Sequence, residues 1–403
     1  MGALSMLKKR TSQRETRHYQ VPISHKLSTT HDTMVGVRHF IRWSGEIIGT
    51  LRAEKRQIAN RYFGKVHRFD GNARQICFQI LDELWAGDFY RTSLGHFDFY
   101  WMRDFGTVAH SLTKLGHQDR VHHTLRWAMR HYRRAGIVKL CIDKSGNVFN
   151  APGKSIDALP WLLHSLVVSK YPLNDTERKF LSKQLKRYVK IYLDKDTGHI
   201  RPIKFAEMRD AVVYDRSAYA VTLVARMARC VEKLELEHFP YKTAQYRELL
   251  VEKYWNGHYF NADSGNDAFS AECALFPFFL GIVDDKHMAN KTFDYINVQR
   301  LNYPYPLRYT NEPERFNYHF WMSGAFMGNY QGSTIWSWHG EYYLHLLKRY
   351  DRHEYHEQYA SFSRMIERHG NFPEMLDTDG SWFNSPAYKG DPGMVWVALF
   401  LEL

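Results

Sequence analysis

Apolar residues recur at three- and four-residue spacing in segment after segment of the chain. This spacing places them on one face of an α-helix. It predicts twelve helices, at about 71–87, 102–116, 118–135, 155–169, 175–193, 213–235, 241–256, 268–281, 285–298, 333–350, 353–369 and 391–403. Strand-like alternation is scarce, so we expect an all-α fold.

Two kinds of linker alternate between these helices. Short connections such as 116–118 alternate with longer segments that are rich in aromatic, acidic and glycine residues. The longer segments precede every second helix, at 97–106, 150–161, 204–219, 261–272, 328–341 and 371–396. Six helical hairpins closed into a ring would bring these loops together at one mouth, which predicts an (α/α)6 barrel. An open helical solenoid is the alternative, but the chain has no constant repeat length or repeated consensus.

The N-terminal region lacks the pattern of the later helices. Residues 1–30 are basic, and we expect a flexible tail there, followed by a single catalytic domain over residues 31–403. Met6 stands where a myristoylation signal requires Ser or Thr, and no apolar core of a signal peptide follows. The densest apolar run, 274–283, is far shorter than the roughly 20 residues of a membrane-spanning helix, so we expect no membrane association.

Cysteine spacing and net charge narrow the class of protein. Cys77, Cys141, Cys230 and Cys273 are far apart, which argues against a zinc site or a disulfide framework and favours a cytoplasmic location. The formal charge of +12 could attract an anionic ligand, a nucleic acid or a membrane. The excess is instead spread over helix faces such as 179–190, without an aromatic-basic module, so no nucleic-acid partner is expected.

Acidic and aromatic side chains concentrate in the six long loops. Cleavage of a glycosidic bond takes two carboxyl groups, and aromatic rings can stack on the apolar faces of sugars. The aromatic candidates are Tyr100, Trp101, Trp161, Trp336, Trp338 and Trp382. The alternative role for these rings is packing in the inner wall of the barrel. For Trp161 and for Trp396, packing and sugar stacking have equal weight. Acids near helix N-termini can likewise be caps rather than functional groups.

Six segments follow one another in a fixed order along residues 70–403. They are YWMRDFG (100–106), SIDALPW (155–161), EMRD (207–210), YQGSTIWSW (330–338), FPEMLD (372–377) and the last helix with its Trp-containing turn (391–403). In this order they resemble segments of glucoamylases and of the amylo-α-1,6-glucosidase part of glycogen debranching enzymes. The resemblance implies an (α/α)6 toroid that hydrolyses an α-glycosidic bond with inversion, without a metal or an organic cofactor.

The resemblance also implies roles for individual residues. Asp210 takes the place of the general acid, with a pKa raised by burial or by Glu207, and Glu374 takes that of the general base. Their carboxyls should lie roughly 6.5–9.5 Å apart, which leaves room for the attacking water. Arg103 and Asp104 would hold hydroxyls of the terminal sugar. The full substrate-binding set is Tyr100, Trp101, Arg103, Asp104, Asp157, Trp161, Glu207, Trp336, Trp338 and Glu341.

Several of these roles have an alternative. Glu207 could be the acid, with the neighbouring aspartate a helix cap. Glu341 could be the base, although its place inside a predicted helix favours an internal salt bridge. Asp104 could serve only to pair with the arginine before it. Asp157 and Asp391 could be N-caps or sugar ligands.

The substrate is the most open part of the prediction. Residues 1–70 are too few for the β-sandwich that often precedes the barrel in such enzymes, which favours a short oligosaccharide or small glycoside, most concretely an α-glucoside. A charged glycoside such as glucosyl- or mannosylglycerate would suit the positive charge. A sugar epimerase could use His96, His319 or His339 as acid and base. A non-catalytic glycan-binding protein could use the same toroid.

Overall fold

The computed structural model describes residues 31–151, 153–202, 205–209, 212–311, 317–318 and 327–403, with the backbone alone for 31–46 and 317–318. Residues 42–403 form one compact unit, and the described residues 31–41 belong to a separate one. In the described part of the chain there are thirteen helices, labelled in chain order. They are α1 His31–Phe63, α2 Ala73–Leu84, α3 Met102–Lys114, α4 Gln118–Ala135, α5 Ala158–Val168, α6 Asp175–Tyr192, α7 Ala218–Lys233, α8 Thr243–Lys253, α9 Ala271–Phe279, α10 Lys286–Val298, α11 Ser337–Arg349, α12 Tyr355–His369 and α13 Val397–Glu402.

All twelve predicted helices are present, and alternate helices form the inner ring. Helices α3, α5, α7, α9, α11 and α13 each pack against the next, and α13 packs back against α3, so the ring closes. Helix α2 packs outside α13, and α4, α6, α8 and α12 likewise pack against members of the inner ring. The long loops therefore precede the inner helices, as the linker pattern predicts.

Local sequence explains where several helices begin and end. Asn72 and Gln75 form a reciprocal capping box at the start of α2, and Asn174 with Glu177 does the same for α6. Helix α4 ends at Gly136, whose φ of 68° lies in the left-handed region that favours glycine.

Large aromatic side chains fill the axis of the ring. The ring of Phe276 lies 5.8 Å from Trp161, 5.3 Å from Tyr219 and 4.7 Å from Tyr342, measured between centroids. A side chain at Gly106 would meet Trp161 at 2.6 Å, so the absence of one lets α3 and α5 approach closely. This packing leaves separate spaces at the two ends of the toroid, one lined by N-terminal and the other by C-terminal ends of inner helices.

Among the residues that the structure describes, seven two-residue strands join the loops at the N-terminal ends of the inner helices. They are β1 Tyr100–Trp101, β2 Cys141–Ile142, β3 Val148–Phe149, β4 Val212–Val213, β5 Asn317–Tyr318, β6 Ile335–Trp336 and β7 Met375–Leu376. All pairs are antiparallel, in the orders β1-β2-β3, β4-β5 and β6-β7. The pairs β1–β2, β4–β5 and β6–β7 join segments that are far apart in the chain, whereas β2 and β3 form a local hairpin, so backbone hydrogen bonds fix the loop positions at the mouth.

Helix α1 was not predicted from the apolar pattern. Its described part leaves Leu51 and Ile58 more than half exposed, so its apolar residues do not mark a face buried in the core. It is held by polar contacts instead: Arg52 Nη1 lies 2.7 Å from Asp143, and Asn60 Nδ2 donates to Asp391 at 3.1 Å. No helix among the described residues is long and apolar enough to cross a membrane.

Candidate active site

A small cavity of ≈ 40 Å³ lies among the loops that precede four of the inner helices. Aromatic, acidic and other polar side chains line it. They are Phe97, Trp101, Arg103 and Asp104 from the loop and first turn of α3, Met208 before α7, Tyr330, Gln331, Trp336 and Trp338 at α11, and Glu374, Met394 and Trp396 before α13. Six of the predicted site residues therefore meet in one place: Trp101, Arg103, Asp104, Trp336, Trp338 and Glu374.

Backbone contacts on both sides hold Glu374 in this cavity. Strand β7 begins at the next residue and pairs with β6, with Met375 opposite Trp336. The carbonyl of Glu374 accepts from Ser337 N at 3.1 Å, and its own N–H donates to Asp391 O at 2.8 Å. The backbone of Glu374 is therefore held in place by β6, Ser337 and Asp391.

The environment of Glu374 is buried, with donors to both of its carboxyl oxygens. Tyr388 Oη lies 2.8 Å from each oxygen and donates to them, and Asp391 N donates to Oε2 at 2.9 Å. Burial raises the pKa of Glu374 well above the usual glutamate value, and the charges of Asp391 and Asp104 raise it further. The two donors oppose this shift, because they favour the ionised carboxylate.

Asp391 organises the wall behind Glu374. Its fully buried carboxylate accepts from His96 N at 2.8 Å, Phe97 N at 2.9 Å and the Ser93 hydroxyl, and it lies 2.8 Å from His96 Nδ1. Burial alone would raise the pKa of Asp391, but His96 and these donors lower it below the usual aspartate value. The prediction of an N-cap is wrong here, because α13 begins six residues later and Asp391 instead fixes the 93–97 loop.

Arg103 lines the cavity and is held from behind by Asp157. The Arg103 Nε donates to Asp157 Oδ2 at 2.5 Å, and the same oxygen accepts from Tyr219 Oη at 3.0 Å. The other oxygen accepts from the Ser155 hydroxyl. Asp157 occupies the N-cap position of α5, as one of the two alternatives predicted, but its side chain makes no capping hydrogen bond. It is fully buried and positions Arg103 instead.

Asp104 lies on the cavity wall with a strongly shifted pKa. Burial raises its pKa to about 7, while Arg103 and a hydrogen bond from Trp396 Nε1, at 3.0 Å, act in the opposite direction. Asp104 thus accepts from Trp396, whereas Arg103 is bound by Asp157. This carboxyl can therefore change its ionisation near neutral pH.

Three indoles form a stacked row along one wall. Trp336 and Trp338 have centroids 5.7 Å apart and planes 29° apart, and Trp338 and Trp396 have centroids 4.4 Å apart and planes 27° apart. Trp101 lies elsewhere on the lining. The indole nitrogens of Trp101 and Trp338 are buried and have no hydrogen-bond partner among the described residues. A hydroxyl group of a ligand would supply the acceptor that a buried donor requires.

The segment around the expected acid is described only in part. Asp210 lies outside the described residues. Glu207 is 3% exposed and does not line the cavity; its carboxyl accepts from the Ser217 hydroxyl. Burial raises the pKa of Glu207 well above the usual value, and the charges of Asp263, Asp157 and Glu272 raise it further.

Three of the predicted aromatic residues are packed away from the cavity. Tyr100 is fully buried, with its hydroxyl 3.0 Å from Met102 Sδ. Trp161 lies in the core and donates to Tyr219 Oη at 3.0 Å. Trp396, for which packing and stacking also had equal weight, lines the cavity. Trp382 donates to the carbonyl of Gly390 at 2.8 Å.

Glu341 lies inside α11, and the expected internal salt bridge is wrong. Its Oε1 accepts from Phe400 N at 3.0 Å, and no cation contacts its carboxyl in the described part of the chain. Burial raises the pKa of Glu341 well above the usual value, and the hydrogen bond from Phe400 opposes this shift. It does not line the cavity.

The histidines weighed for epimerase chemistry are not on the described lining. His96 is bound by Asp391 and Tyr388, the latter at 3.2 Å from Nε2. His339 is fully buried, neither ring nitrogen has a partner among the described residues, and burial lowers its pKa well below the usual value. His319 lies outside the described residues.

The sequence pattern missed Tyr388 and several lining residues, and it did not link His96 to the expected base. Tyr388 and His96 are 292 positions apart and meet beside Glu374. Met208, Tyr330, Gln331 and Met394 line the cavity but carry no carboxyl or indole by which they could have been singled out. Tyr388 lies in the same long loop, 371–396, as the expected base. This proximity in sequence is the feature by which its hydroxyl could have been proposed as a site residue.

Comparison with known proteins gives no sequence match but a consistent structural one. No protein-family model and no curated protein matches the chain. The structure is similar to a GH63 mannosylglycerate hydrolase from Thermus thermophilus in complex with Tris and D-glycerate, with a TM-score of 0.52, 13% identity and coverage of 82% of this chain and 99% of that one. It is also similar to a bacterial glucoamylase complexed with acarbose, with a TM-score of 0.57, 14% identity and coverage of 81% and 54%.

A third similar structure is a rhamnosidase from Klebsiella oxytoca with rhamnose bound, with a TM-score of 0.55, 11% identity and coverage of 83% of this chain and 65% of that one. The fold is the six-hairpin (α/α)6 toroid of these glycosidases. The resemblance drawn from the six ordered segments is thereby confirmed for the fold. At sequence identities of 11–14%, these similarities establish the fold alone.

Replacing Asp391 should destabilise the protein strongly. Asp391→Ala would leave the N–H groups of His96 and Phe97 and the Ser93 hydroxyl without their buried acceptor. We expect a loss of about 3–5 kcal/mol in the free energy of unfolding, measured by chemical denaturation. Asp379→Ala is the control, because Asp379 is exposed and accepts from a single backbone N–H; its loss should stay below about 1 kcal/mol. Equal losses in the two variants would contradict the role of Asp391.

Proposed function

We propose that this protein is an inverting glycoside hydrolase that cleaves an α-glycosidic bond of a short oligosaccharide or small glycoside, such as an α-glucoside. The observation that carries the proposal is Glu374, a buried carboxyl on the wall of an aromatic cavity, with donors to both oxygens. Glu374 is the proposed general base, which removes a proton from the attacking water. Asp210 is the proposed general acid, which protonates the leaving oxygen.

The assignment of Asp210 is supported by its position in the chain. Met208, two residues earlier, lines the cavity, and β4 begins two residues later and pairs with β5. Glu207 faces Ser217 and lies off the lining, which favours Asp210 over it as the acid. Of the described residues that line the cavity, Asp104 is the carboxyl whose pKa of about 7 would also suit an acid.

The remaining lining residues suit sugar binding. Arg103 is fixed by Asp157, so its guanidinium is already oriented when a ligand arrives. Beside it, Asp104 can accept hydrogen bonds from sugar hydroxyls. The three stacked indoles offer apolar walls against which a sugar ring can pack.

A charged glycoside is the second candidate substrate. The structural match extends over 99% of the mannosylglycerate hydrolase, against 54% of the glucoamylase. Arg103 on the cavity wall would provide a cation for a carboxylate on such a substrate. Higher turnover of glucosyl- or mannosylglycerate than of neutral α-glucosides, with a preference that weakens at high salt, would favour this candidate.

Substitution of the two carboxyls tests the proposed chemistry. Glu374→Gln and Asp210→Asn should each lower kcat by at least about 10²-fold, because general acid–base catalysis contributes about 10²–10⁴-fold. Activity is measured as sugar released from a panel of neutral and carboxylated α-glycosides. Glu357→Gln on the exposed face of α12 and Asp379→Asn are the matched controls and should retain wild-type kcat.

A third variant separates the acid from a sugar ligand. Asp104→Asn should raise KM more than it lowers kcat if Asp104 holds the substrate. Near-normal kcat in Asp210→Asn together with its loss in Asp104→Asn would reassign the acid to Asp104. Wild-type activity in Glu374→Gln would overturn the proposed base, and binding of glycosides by the wild type without release of sugar would overturn hydrolysis.

The pH dependence should report the ionisation of Glu374. A general base acts only when deprotonated, so kcat/KM falls as the pH drops through its pKa. Because the pKa of Glu374 is raised, this acid limb should lie above the range of an exposed glutamate. Tyr388→Phe removes a donor that lowers the pKa, so the limb should move to still higher pH.

Tyr132→Phe is the control for this shift. It also removes the hydrogen bond of a buried hydroxyl, but that hydroxyl donates to Lys139 O at 2.9 Å, away from the cavity. Its pH profile of kcat/KM should coincide with that of the wild type. A limb that stays in place or moves to lower pH in Tyr388→Phe would contradict the assignment of Glu374 as base.

A further inference from the structure

A second, larger cavity lies at the opposite end of the toroid from the candidate active site. Its volume is ≈ 620 Å³, and residues at the C-terminal ends of α3, α5, α9, α11 and α13 line it. We call it the rear cavity. We call the cavity of the candidate active site the front cavity. None of the residues that line the rear cavity also lines the front cavity, so a ligand in the rear cavity would be distinct from the glycoside substrate.

The charge of the rear cavity is strongly unbalanced. Four side chains with a permanent positive charge line it, together with three histidines and one carboxylate: Lys114, Arg226, Lys348, Arg349, His110, His164, His345 and Glu402. Glu402 is already bound by Lys114 Nζ at 3.0 Å and by the Ser111 hydroxyl. Glu402 is thus engaged by Lys114, and Lys348 Nζ donates to Leu403 O at 2.6 Å, which leaves Arg226 and Arg349 without a carboxylate partner among the described residues.

Part of this charge has a structural explanation, and part does not. The C-terminal end of a helix carries partial negative charge, which favours cations there. Arg349 fits this explanation, since its Nη1 donates to Phe278 O at 2.7 Å at the end of α9. Arg226 does not fit it, because it lies seven residues before the last residue of α7.

Arg226 and His164 form a pair of donors on the cavity wall. Arg226 Nε donates to His164 Nδ1 at 2.9 Å, so in the neutral imidazole the proton is on Nε2. Burial lowers the pKa of His164 well below its usual value, and the neighbouring Arg226 lowers it further. In the described part of the chain, no carboxylate lies within hydrogen-bonding distance of Arg226.

The geometry points to a binding site for a phosphate group, free or carried by a small molecule, in the rear cavity. The planar fork of Arg226 matches two phosphate oxygens, and His164 Nε2 supplies a further donor. Lys348 and Arg349, which are exposed on the rim, add to the positive potential that attracts a dianion. The cavity is large enough for a phosphorylated metabolite of the size of a sugar phosphate.

Isothermal titration calorimetry at constant ionic strength tests this proposal. The probes are inorganic phosphate and glucose 6-phosphate, each titrated into the full chain with chloride as the balancing anion. We expect saturable binding of both in the wild type. Tighter binding of glucose 6-phosphate supports a carried phosphate, and equal affinities support a site for the phosphate group alone.

Variants locate the site. Arg226→Gln should weaken phosphate binding by about tenfold or more, because it removes charge-assisted hydrogen bonds. Lys348→Gln, an exposed rim substitution that leaves the core intact, should weaken it by a smaller factor and provides the test if Arg226→Gln fails to fold. Arg130→Gln on the exposed face of α4 removes the same charge outside the cavity and should leave affinity unchanged.

A front-cavity variant separates this site from the candidate active site. Glu374→Gln should bind phosphate as the wild type does. Absence of saturable binding in the wild type would overturn the proposal, as would equal affinities in Arg226→Gln and Arg130→Gln. These outcomes do not depend on glycoside turnover, so either proposal can fail alone.

Discussion

The closure of the ring between its first and last inner helices is the contact on which the candidate active site depends. Helix α13 packs against α3, and polar contacts link the two along the seam. At the front, Trp396 Nε1 donates to Asp104; at the rear, the Ser111 hydroxyl and Lys114 hold Glu402. The last long loop can reach the first only because this seam is closed.

The same seam explains the position of the proposed base. Asp391 binds the N–H groups of the 93–97 loop with its side chain and Glu374 with its backbone. Glu374 is therefore fixed relative to Arg103 and Asp104, which come from the other end of the chain. A substitution that opens the seam would separate the base from the groups proposed to hold the sugar.

The two ends of the toroid differ in charge, and helix direction accounts for part of this difference. The front cavity lies at the N-terminal ends of the inner helices, whose partial positive charge favours carboxylates such as Glu374 and Asp104. The rear cavity lies at their C-terminal ends, where cations are favoured. A parallel arrangement of inner helices thus produces an acidic, aromatic face and a basic face from one repeated hairpin.

Helical periodicity was sufficient to predict the ring, because each hairpin buries one apolar face and the loops alternate in length. The choice among loop residues was less predictable. Trp161 and Trp396 carry the same side chain in similar loops, yet one fills the core and the other lines the cavity, which depends on where neighbouring helices approach. Tyr388 and His96 could not be linked from sequence, since 292 positions separate them. The apolar pattern did not predict helix α1, because the contacts that hold this helix are mainly polar.

The anomeric configuration of the first sugar released tests the proposed mechanism most directly. Proton NMR, recorded during the first turnovers of an α-glycoside, distinguishes the two anomers before they equilibrate. Direct attack by a water activated by Glu374 predicts that the β-anomer appears first. Initial release of the α-anomer would contradict inversion and the role of Glu374 as general base.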